Sequence, residues 1–216
     1  MTSNTTRKGP PRRRRAGAPA SDELLMRRYR DKGDRAAFEE LVHRYERELY
    51  SYLRRYLGDA DLAEDVFQAT FFQVHQKCRL FDAGRSFRPW LYTIATHQAI
   101  DALRKLRRHP TVSLDAHPLA NEEMGEGEFI EFLQSHAPGP VAELEEKEQR
   151  EWTRRAVQEL PPNLRSAILL TYFQGLKYRE VAEILGIPIG TLKSRIHAAL
   201  AKLNLAWKQK QLREEG

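Results

Sequence analysis

Apolar side chains recur at intervals of three and four residues along most of this chain, which is the spacing that places them on one face of an α-helix. The clearest stretch runs from Arg35 to Leu57, and its apolar positions are Phe38, Leu41, Val42, Tyr45, Leu49, Tyr52 and Tyr56. No stretch of the sequence alternates apolar and polar residues as a half-buried β-strand does. The pattern therefore predicts an all-α protein.

Capping residues and helix breakers divide the pattern into separate helices. Ser21 suits the N-cap of a short first helix, Gly58 ends the long second helix, and Pro161-Pro162 interrupts the pattern near the C-terminus. A loop is expected from Leu80 to Ser86. The predicted helices lie between Ser21 and Gly33 and at about 35–57, 60–78, 88–108, 141–160, 163–174, 177–185 and 189–212.

Composition separates two helical domains. Residues 1–20 are rich in arginine, proline and glycine, which predicts a disordered basic tail. No lysine or arginine occurs between His109 and Glu146, where acidic residues, proline and glycine are frequent. This stretch predicts an acidic flexible linker at 109–140 between an N-terminal domain at 21–108 and a C-terminal domain at 141–216.

The overall charge favours an anionic partner, most simply a nucleic acid, because the formal net charge is +6. The single cysteine, Cys78, excludes an intramolecular disulfide and is typical of a reducing cytosol. No apolar run approaches the roughly 20 residues that a membrane span needs. We therefore expect a cytoplasmic protein without membrane insertion.

The stretch from Arg85 to Arg108 combines aromatic, hydroxyl and basic side chains. Helical spacing places six of them on one face: Trp90, Thr93, His97, Asp101, Arg104 and Arg108. Aromatic rings can stack on unpaired bases, and arginines neutralise phosphates. The alternative is an amphipathic helix in which Trp90 is partly core and the basic end complements the helix dipole.

Residues 178–203 have the spacing of a helix-turn-helix. Ala182 lets two helices approach, Gly186 takes the turn, and Leu192 closes the core from the second helix. The opposite face of that second helix carries Thr191, Ser194, Arg195, Ala198 and Lys202. Arg195 suits bidentate guanine recognition, whereas Lys193 and Lys202 suit phosphates. The alternative is an ordinary helical hairpin with a basic face.

An acidic stripe precedes the aromatic segment. Helical spacing places Asp61, Glu64, Asp65, Gln68 and Phe72 on one face. Acidic residues in a first turn also compensate the helix dipole, which would account for Asp61 and Glu64 but not for Gln68 and Phe72. An acidic face that ends in an aromatic residue favours docking of a basic protein partner.

An enzyme is not indicated by any motif in the sequence. There is no glycine-rich phosphate loop, nucleophile elbow or metal-ligand spacing, so no catalytic residue, metal or cofactor is predicted. A helix-turn-helix regulator that binds only DNA is the main alternative, although it would need neither the acidic stripe nor the aromatic segment. A helical adaptor that binds only protein would leave the basic C-terminal face unexplained.

Three stretches occur in a characteristic order: DLAEDVFQATF, then SFRPWLYTIA with IDALRKLRR, then LPPNLRSAILLTYFQGLKYREVAEILGIPIGTLKSRI. Together they resemble a bacterial RNA polymerase sigma factor of the sigma-70 family, extracytoplasmic-function (ECF) class. The resemblance extends from about Asp22 to Leu205 and implies two helical domains that take core polymerase to promoters and help to melt the DNA.

The resemblance also implies roles for particular residues. The acidic stripe, Asp61, Glu64, Asp65, Gln68 and Phe72, would dock on the clamp helices of the largest polymerase subunit. The unpaired minus-10 strand would be captured by Arg85, Ser86, Phe87, Arg88, Trp90, Tyr92, Thr93, His97, Arg104, Arg107 and Arg108. Stacking of a base on Trp90 or Tyr92 would contribute roughly 1–3 kcal/mol. The minus-35 duplex would be read by Thr191, Lys193, Ser194, Arg195, His197 and Lys202.

The chain departs from the usual family sequence at Thr96-His97, where relatives commonly carry Arg-Asn. Many members are controlled by an anti-sigma factor, so the resemblance makes one a partner to consider. The two promoter elements lie about two duplex turns, or about 70 Å, apart. A free linker coil would span only roughly 30–35 Å, so we expect the linker to be stretched in the working complex.

Overall fold

The computed structural model describes residues 20–106 and 143–214, with side-chain detail for 20–106 and 151–212. All regular elements in these ranges are helical, which confirms the all-α prediction. No helix among the described residues is long and apolar enough to span a membrane. The tail before residue 20 and the predicted linker at 109–140 lie outside the described residues.

The N-terminal domain contains four α-helices and one short 3-10 turn. They are α1 (Asp22–Lys32), α2 (Arg35–Leu57), α3 (Ala60–Gln76), the 3-10 turn (Cys78–Leu80) and α4 (Phe87–Leu106). The bounds of α2 are those that the apolar pattern predicts. Helix α3 ends two residues before the predicted Cys78, because Cys78 begins the 3-10 turn.

Short polar side chains start the first three helices. Ser21, Asp34 and Asp59 accept hydrogen bonds from the main-chain N–H groups of Leu24, Ala37 and Leu62, which would otherwise lack partners. Gly58 ends α2 at a φ of 81°, in the left-handed region that glycine adopts without strain. Because Asp59 caps α3, the side chain of Asp61 is left on the helix surface.

Helix α2 forms the centre of the N-terminal domain and contacts α1, α3 and α4. Leu41, Leu49, Tyr52 and Leu53 on its inner face are completely buried. Burial of an apolar side chain of this size contributes roughly 1.5–3 kcal/mol to folding. The predicted inner face of this helix is therefore the one that holds the domain together.

The C-terminal domain contains α5 (Glu143–Glu159), α6 (Pro162–Ile168), α7 (Tyr178–Leu185) and α8 (Ile189–Glu214). One turn of π-helix, Leu169–Phe173, continues α6. The main-chain N–H of Gln174 closes this turn by donating to the carbonyl of Leu169 at 3.0 Å. The sequence pattern predicts one continuous helix at 163–174 and gives no sign of the wider turn.

The two domains pack against each other and share one hydrophobic core. Helix α4 lies against α7, and α2 lies against α5 and α6. The guanidinium of Arg165 in α6 donates to the main-chain carbonyl of Tyr56 in α2 at 2.7 Å. The composition of the chain predicts two domains but not this contact between them.

Candidate polymerase and promoter interfaces

The acidic stripe lies on the outer face of α3. Its inner face buries Ala63, Val66, Thr70, Phe71 and Val74 against the domain core. The five predicted docking residues all lie on the exposed side: Asp61, Glu64, Asp65, Gln68 and Phe72. The Phe72 ring is 61% exposed, and the Gln68 amide donates to Glu64 at 3.0 Å. An exposed phenylalanine on the same helix face as three carboxylates is typical of a protein-docking surface.

The loop between α3 and α4, residues 81–86, is held from α1. Arg30 donates to the main-chain carbonyl of Phe81 at 3.0 Å, and the Glu23 carboxylate accepts from the main-chain N–H of Phe87 at 3.0 Å. Helix α1 therefore fixes both ends of the loop. The sequence pattern does not reveal these contacts, because Glu23 and Phe87 lie 64 positions apart.

The tip of this loop faces solvent. The Asp82 carboxylate accepts from the main-chain N–H of Gly84 at 2.9 Å, and the Arg85 N–H donates to the Asp82 carbonyl at 3.0 Å. These bonds form a tight turn that leaves Arg85 and Ser86 exposed. Arg85 and Ser86, two of the predicted strand-capture residues, are therefore accessible to DNA.

Two aromatic residues that the sequence assigns to strand capture lie instead in the core. Phe87 and Tyr92 are completely buried, so neither ring can stack on a base in this arrangement. Tyr92 follows Trp90 by two positions, and residues two apart in a helix do not share a face. The Trp90 ring is half-buried, with its centroid 5.1 Å from that of Phe81. Among the aromatic residues of α4, Trp90 is the one whose ring has exposed surface on which a base can stack.

Further along α4, the predicted face is at least partly accessible. His97 and Arg104 are exposed, and Arg104 lies 3.4 Å from the Asp101 carboxylate. Thr93 is half-buried and donates to the carbonyl of Pro89. Thr96, by contrast, is completely buried. Arg107 and Arg108 lie outside the described residues.

Arg88 is already engaged in the structure. Its guanidinium contacts the Glu48 carboxylate at 2.5 Å and donates to the main-chain carbonyl of Gln174 at 2.6 Å. Burial by itself would lower the pKa of Arg88, but the hydrogen bond to Glu48 and the attraction of the Glu48 charge together hold that pKa above its ordinary value. The predicted phosphate contact of Arg88 is therefore occupied by groups of the protein.

A basic cavity of about 490 Å³ lies between α1, the start of α2 and the end of α3. Arg30, Arg35, His75 and Arg79 contribute to its lining. The Tyr29 hydroxyl bonds to the His75 imidazole at its edge. Arg79 belongs to the same connection between α3 and α4 as the predicted capture loop.

The C-terminal domain has the geometry of a helix-turn-helix. Gly186 makes the turn between α7 and α8 at a φ of 63°, and its N–H donates to the Glu183 carbonyl. Val181 and Leu192 are completely buried between the two helices. Polar side chains occupy the outer face of α8: Thr191, Lys193, Ser194, His197 and Lys202 are exposed, and Arg195 is partly exposed. Ser194 donates to the carbonyl of Gly190 at 3.1 Å.

Comparisons with known families agree with this arrangement. The model of "Sigma-70 region 2" matches residues 41–109, which include the acidic stripe, the loop and α4. The model of "Sigma-70, region 4" matches residues 150–203, which include the helix-turn-helix. An ECF RNA polymerase sigma factor of Bacillus subtilis, SigW, is 35% identical over 185 residues, covering 85% of this chain and 92% of the relative.

The chain belongs to the ECF class of sigma-70 family sigma factors. The ECF RNA polymerase sigma-E factor of Escherichia coli is also 35% identical, over 180 residues that cover 83% of this sigma factor and 90% of the relative. The protein therefore binds RNA polymerase and directs it to promoters, and a regulator that acts without polymerase is not favoured.

Two solved structures share the fold of this sigma factor. CnrH, solved in complex with the cytosolic domain of CnrY, has a TM-score of 0.61 at 23% identity and covers 88% of this chain and 99% of its own. RpoE of Bartonella quintana, solved with the anti-sigma factor NepR, has a TM-score of 0.56 at 24% identity. The match covers 79% of this chain and 96% of the RpoE chain. At these identities the likeness concerns the fold.

Proposed function

We propose that the N-terminal domain, residues 21–108, docks on polymerase and captures the minus-10 strand, and that the C-terminal domain, residues 141–216, reads the minus-35 duplex. The acidic linker at 109–140 joins them. The observation that carries this assignment is the exposure of three separate surfaces, namely the acidic stripe on α3, the loop before α4 and the outer face of α8.

The acidic stripe binds the clamp helices of the largest polymerase subunit. Asp61, Glu64 and Asp65 supply negative charge, and Phe72 supplies exposed aromatic area. Charge complementarity steers the encounter, and a buried aromatic residue at an interface contributes much of the affinity. Gln68 continues the same face.

Capture of the minus-10 strand uses the loop and the accessible side of α4. Arg85, Ser86 and the partly exposed Trp90 receive the unpaired strand, while Thr93, His97 and Arg104 continue the path along the helix. A base extruded from the duplex loses a few kcal/mol of stacking, which contact with Trp90 offsets in part. Phe87 supports the loop from the core, and Arg88 joins the site once its bond to Gln174 is released.

The outer face of α8 enters the major groove at the minus-35 element. Arg195 reads a guanine, Thr191 and Ser194 contact neighbouring base edges or phosphates, and Lys193 and Lys202 bind phosphates. His197 lies on the same exposed surface. These contacts fix the position of the C-terminal domain on the duplex.

This sigma factor acts in the cytoplasm, as a transcription initiation factor rather than as an enzyme. No group of residues in the described part of the chain is arranged to hold a metal ion. An anti-sigma factor is the expected regulatory partner, since the structural relative of Bartonella quintana was solved with one.

Run-off transcription with core polymerase, with and without this protein, on a panel of promoters tests the proposal. We expect initiation on a subset of templates only when the protein is present. Equal initiation by core polymerase alone on all templates would contradict it. The templates that respond then provide the minus-10 and minus-35 sequences for the residue-level tests.

A further inference from the structure

The closest polar contact between the two domains is centred on Gln174, at the end of the π-helical turn. Its main-chain carbonyl accepts from Arg88 at 2.6 Å, and its side-chain amide contacts the Tyr92 hydroxyl at 2.7 Å. Glu48 lies behind both partners, at 2.5 Å from Arg88 and 2.7 Å from Tyr92. We call Glu48, Arg88, Tyr92 and Gln174 the latch.

The latch forms a continuous hydrogen-bond network across the two domains. Burial, followed by the Glu48 carboxylate, raises the pKa of Tyr92, so its hydroxyl stays protonated. The Tyr92 hydroxyl lies 2.7 Å from both the Glu48 carboxylate and the Gln174 amide oxygen, and its one proton serves one of these two acceptors at a time. Gln174 is 7% exposed, which excludes most water from competing with these bonds.

Two further contacts close the interface around the latch. The Arg55 guanidinium lies over the Phe173 ring, 5.0 Å from its centroid. The Arg165 guanidinium donates to the Tyr56 carbonyl. All three contacts join the N-terminal domain to the segment between Arg165 and Gln174, so the end of α6 and its π-helical turn carry the polar part of the interface.

We propose that the latch holds the free sigma factor in a closed state that cannot use a promoter, and that release of Gln174 is a step in its activation. The inference rests on the proposed function. In the closed state α4 lies directly against α7, and packed helices have axes about 8–10 Å apart. Promoter elements about 70 Å apart cannot be read together by domains in this contact.

The latch also competes with DNA for a defined group. The Glu48 carboxylate and the Gln174 carbonyl occupy the Nε and Nη2 donors of Arg88, so a phosphate that binds these donors must displace them. Opening frees the side of Arg88 that faces Gln174, while Glu48 keeps the guanidinium oriented from within the same domain. The apparent affinity for single-stranded DNA is therefore reduced by the fraction of closed molecules.

The test uses the full-length protein without polymerase. Gln174→Ala combined with Phe173→Ala removes the side-chain contacts to Tyr92 and Arg55. The carbonyl that Arg88 contacts belongs to the main chain of Gln174, so it is released only when the π-helical turn undocks. Gln174→Ala combined with Arg55→Gln provides a second variant if the first does not fold. Gln209→Ala makes the same chemical change at an exposed position of α8 and serves as the matched control. Small-angle X-ray scattering reports the radius of gyration, and fluorescence anisotropy reports binding of labelled random single-stranded DNA of about 12 nucleotides.

We expect a compact wild type and Gln209→Ala control, an expanded latch variant, and DNA binding by the variant that is about fivefold or more tighter. An expanded wild type, a latch variant as compact as wild type, or expansion without tighter DNA binding would each overturn the latch. Run-off transcription distinguishes failure of the latch from failure of the proposed function. Loss of promoter-specific initiation by wild type and variants alike contradicts the proposed function, whereas scattering reports on the latch alone.

Discussion

The hydroxyl groups of Tyr52 and Thr96 form a 2.8 Å hydrogen bond in the centre of the N-terminal domain. Both side chains are completely buried, and burial raises the pKa of Tyr52. Thr96 belongs to the Thr96-His97 pair, where the family resemblance leads us to expect Arg-Asn. The hydrogen bond gives Thr96 a structural role, whereas its neighbour His97 faces solvent.

The hydrogen bond between Tyr52 and Thr96 predicts how single and double substitutions of this pair change the free energy of unfolding. Tyr52→Phe or Thr96→Val each leaves one buried hydroxyl without its partner, so we expect each to lower the free energy of unfolding by about 1–3 kcal/mol. The double variant leaves neither hydroxyl without a partner. Its loss in the free energy of unfolding should therefore be smaller than the sum of the losses in the two single variants. Chemical denaturation of all four proteins measures this coupling. Strictly additive costs would show that the hydrogen bond contributes nothing.

Charge reversal on α3 should separate polymerase binding from folding. Asp65 is exposed, so Asp65→Arg should keep the wild-type helical content and melting temperature while co-purification with core polymerase falls about tenfold or more. Glu39→Arg, the same reversal at an exposed position of α2, is the control and should bind as wild type does. Wild-type recovery of core polymerase with the Asp65 variant would remove the acidic stripe from the docking surface.

Arg195 and Lys202 should differ in what they contribute to duplex binding. Arg195→Ala should weaken binding to the preferred upstream element by about 1–3 kcal/mol and should relax sequence preference at one base pair. Lys202→Ala should weaken binding to all sequences alike and reduce the salt slope by about one. Titrations against a set of single-base variants at several salt concentrations measure both effects. Equal effects of the two changes on all sequences would exclude base reading by Arg195.

The linker should do more for transcription initiation than set the distance between the two domains. Its acidic residues are unsuited to DNA and favour a basic protein channel. Exchange of residues 109–140 for a neutral glycine-serine coil of equal length should therefore lower promoter-dependent run-off transcription, while each domain keeps its binding surface. A second exchange that keeps the acidic residues but scrambles their order is the control. Unchanged initiation by the neutral variant would leave the linker as a simple tether.

Helix α4 marks the limit of what the apolar pattern predicts about the site. Its spacing placed Trp90, His97 and Arg104 on one face, and that face is at least partly accessible. The same spacing sets Tyr92 on the opposite side, although the family resemblance had grouped it with the strand-capture residues. The position of Tyr92 in the core could thus have been inferred from residue spacing alone.

The features that depend on neighbours along the chain could be inferred from the sequence. The helix periods, the cap at Ser21, the turn at Gly186 and the order of the family motifs all follow from residues a few positions apart. The groups that occupy Arg88, by contrast, are set by tertiary packing. Gln174 lies 86 positions from it, and the π-helical turn that presents Gln174 has no local signature, so packing of the two domains sets that contact.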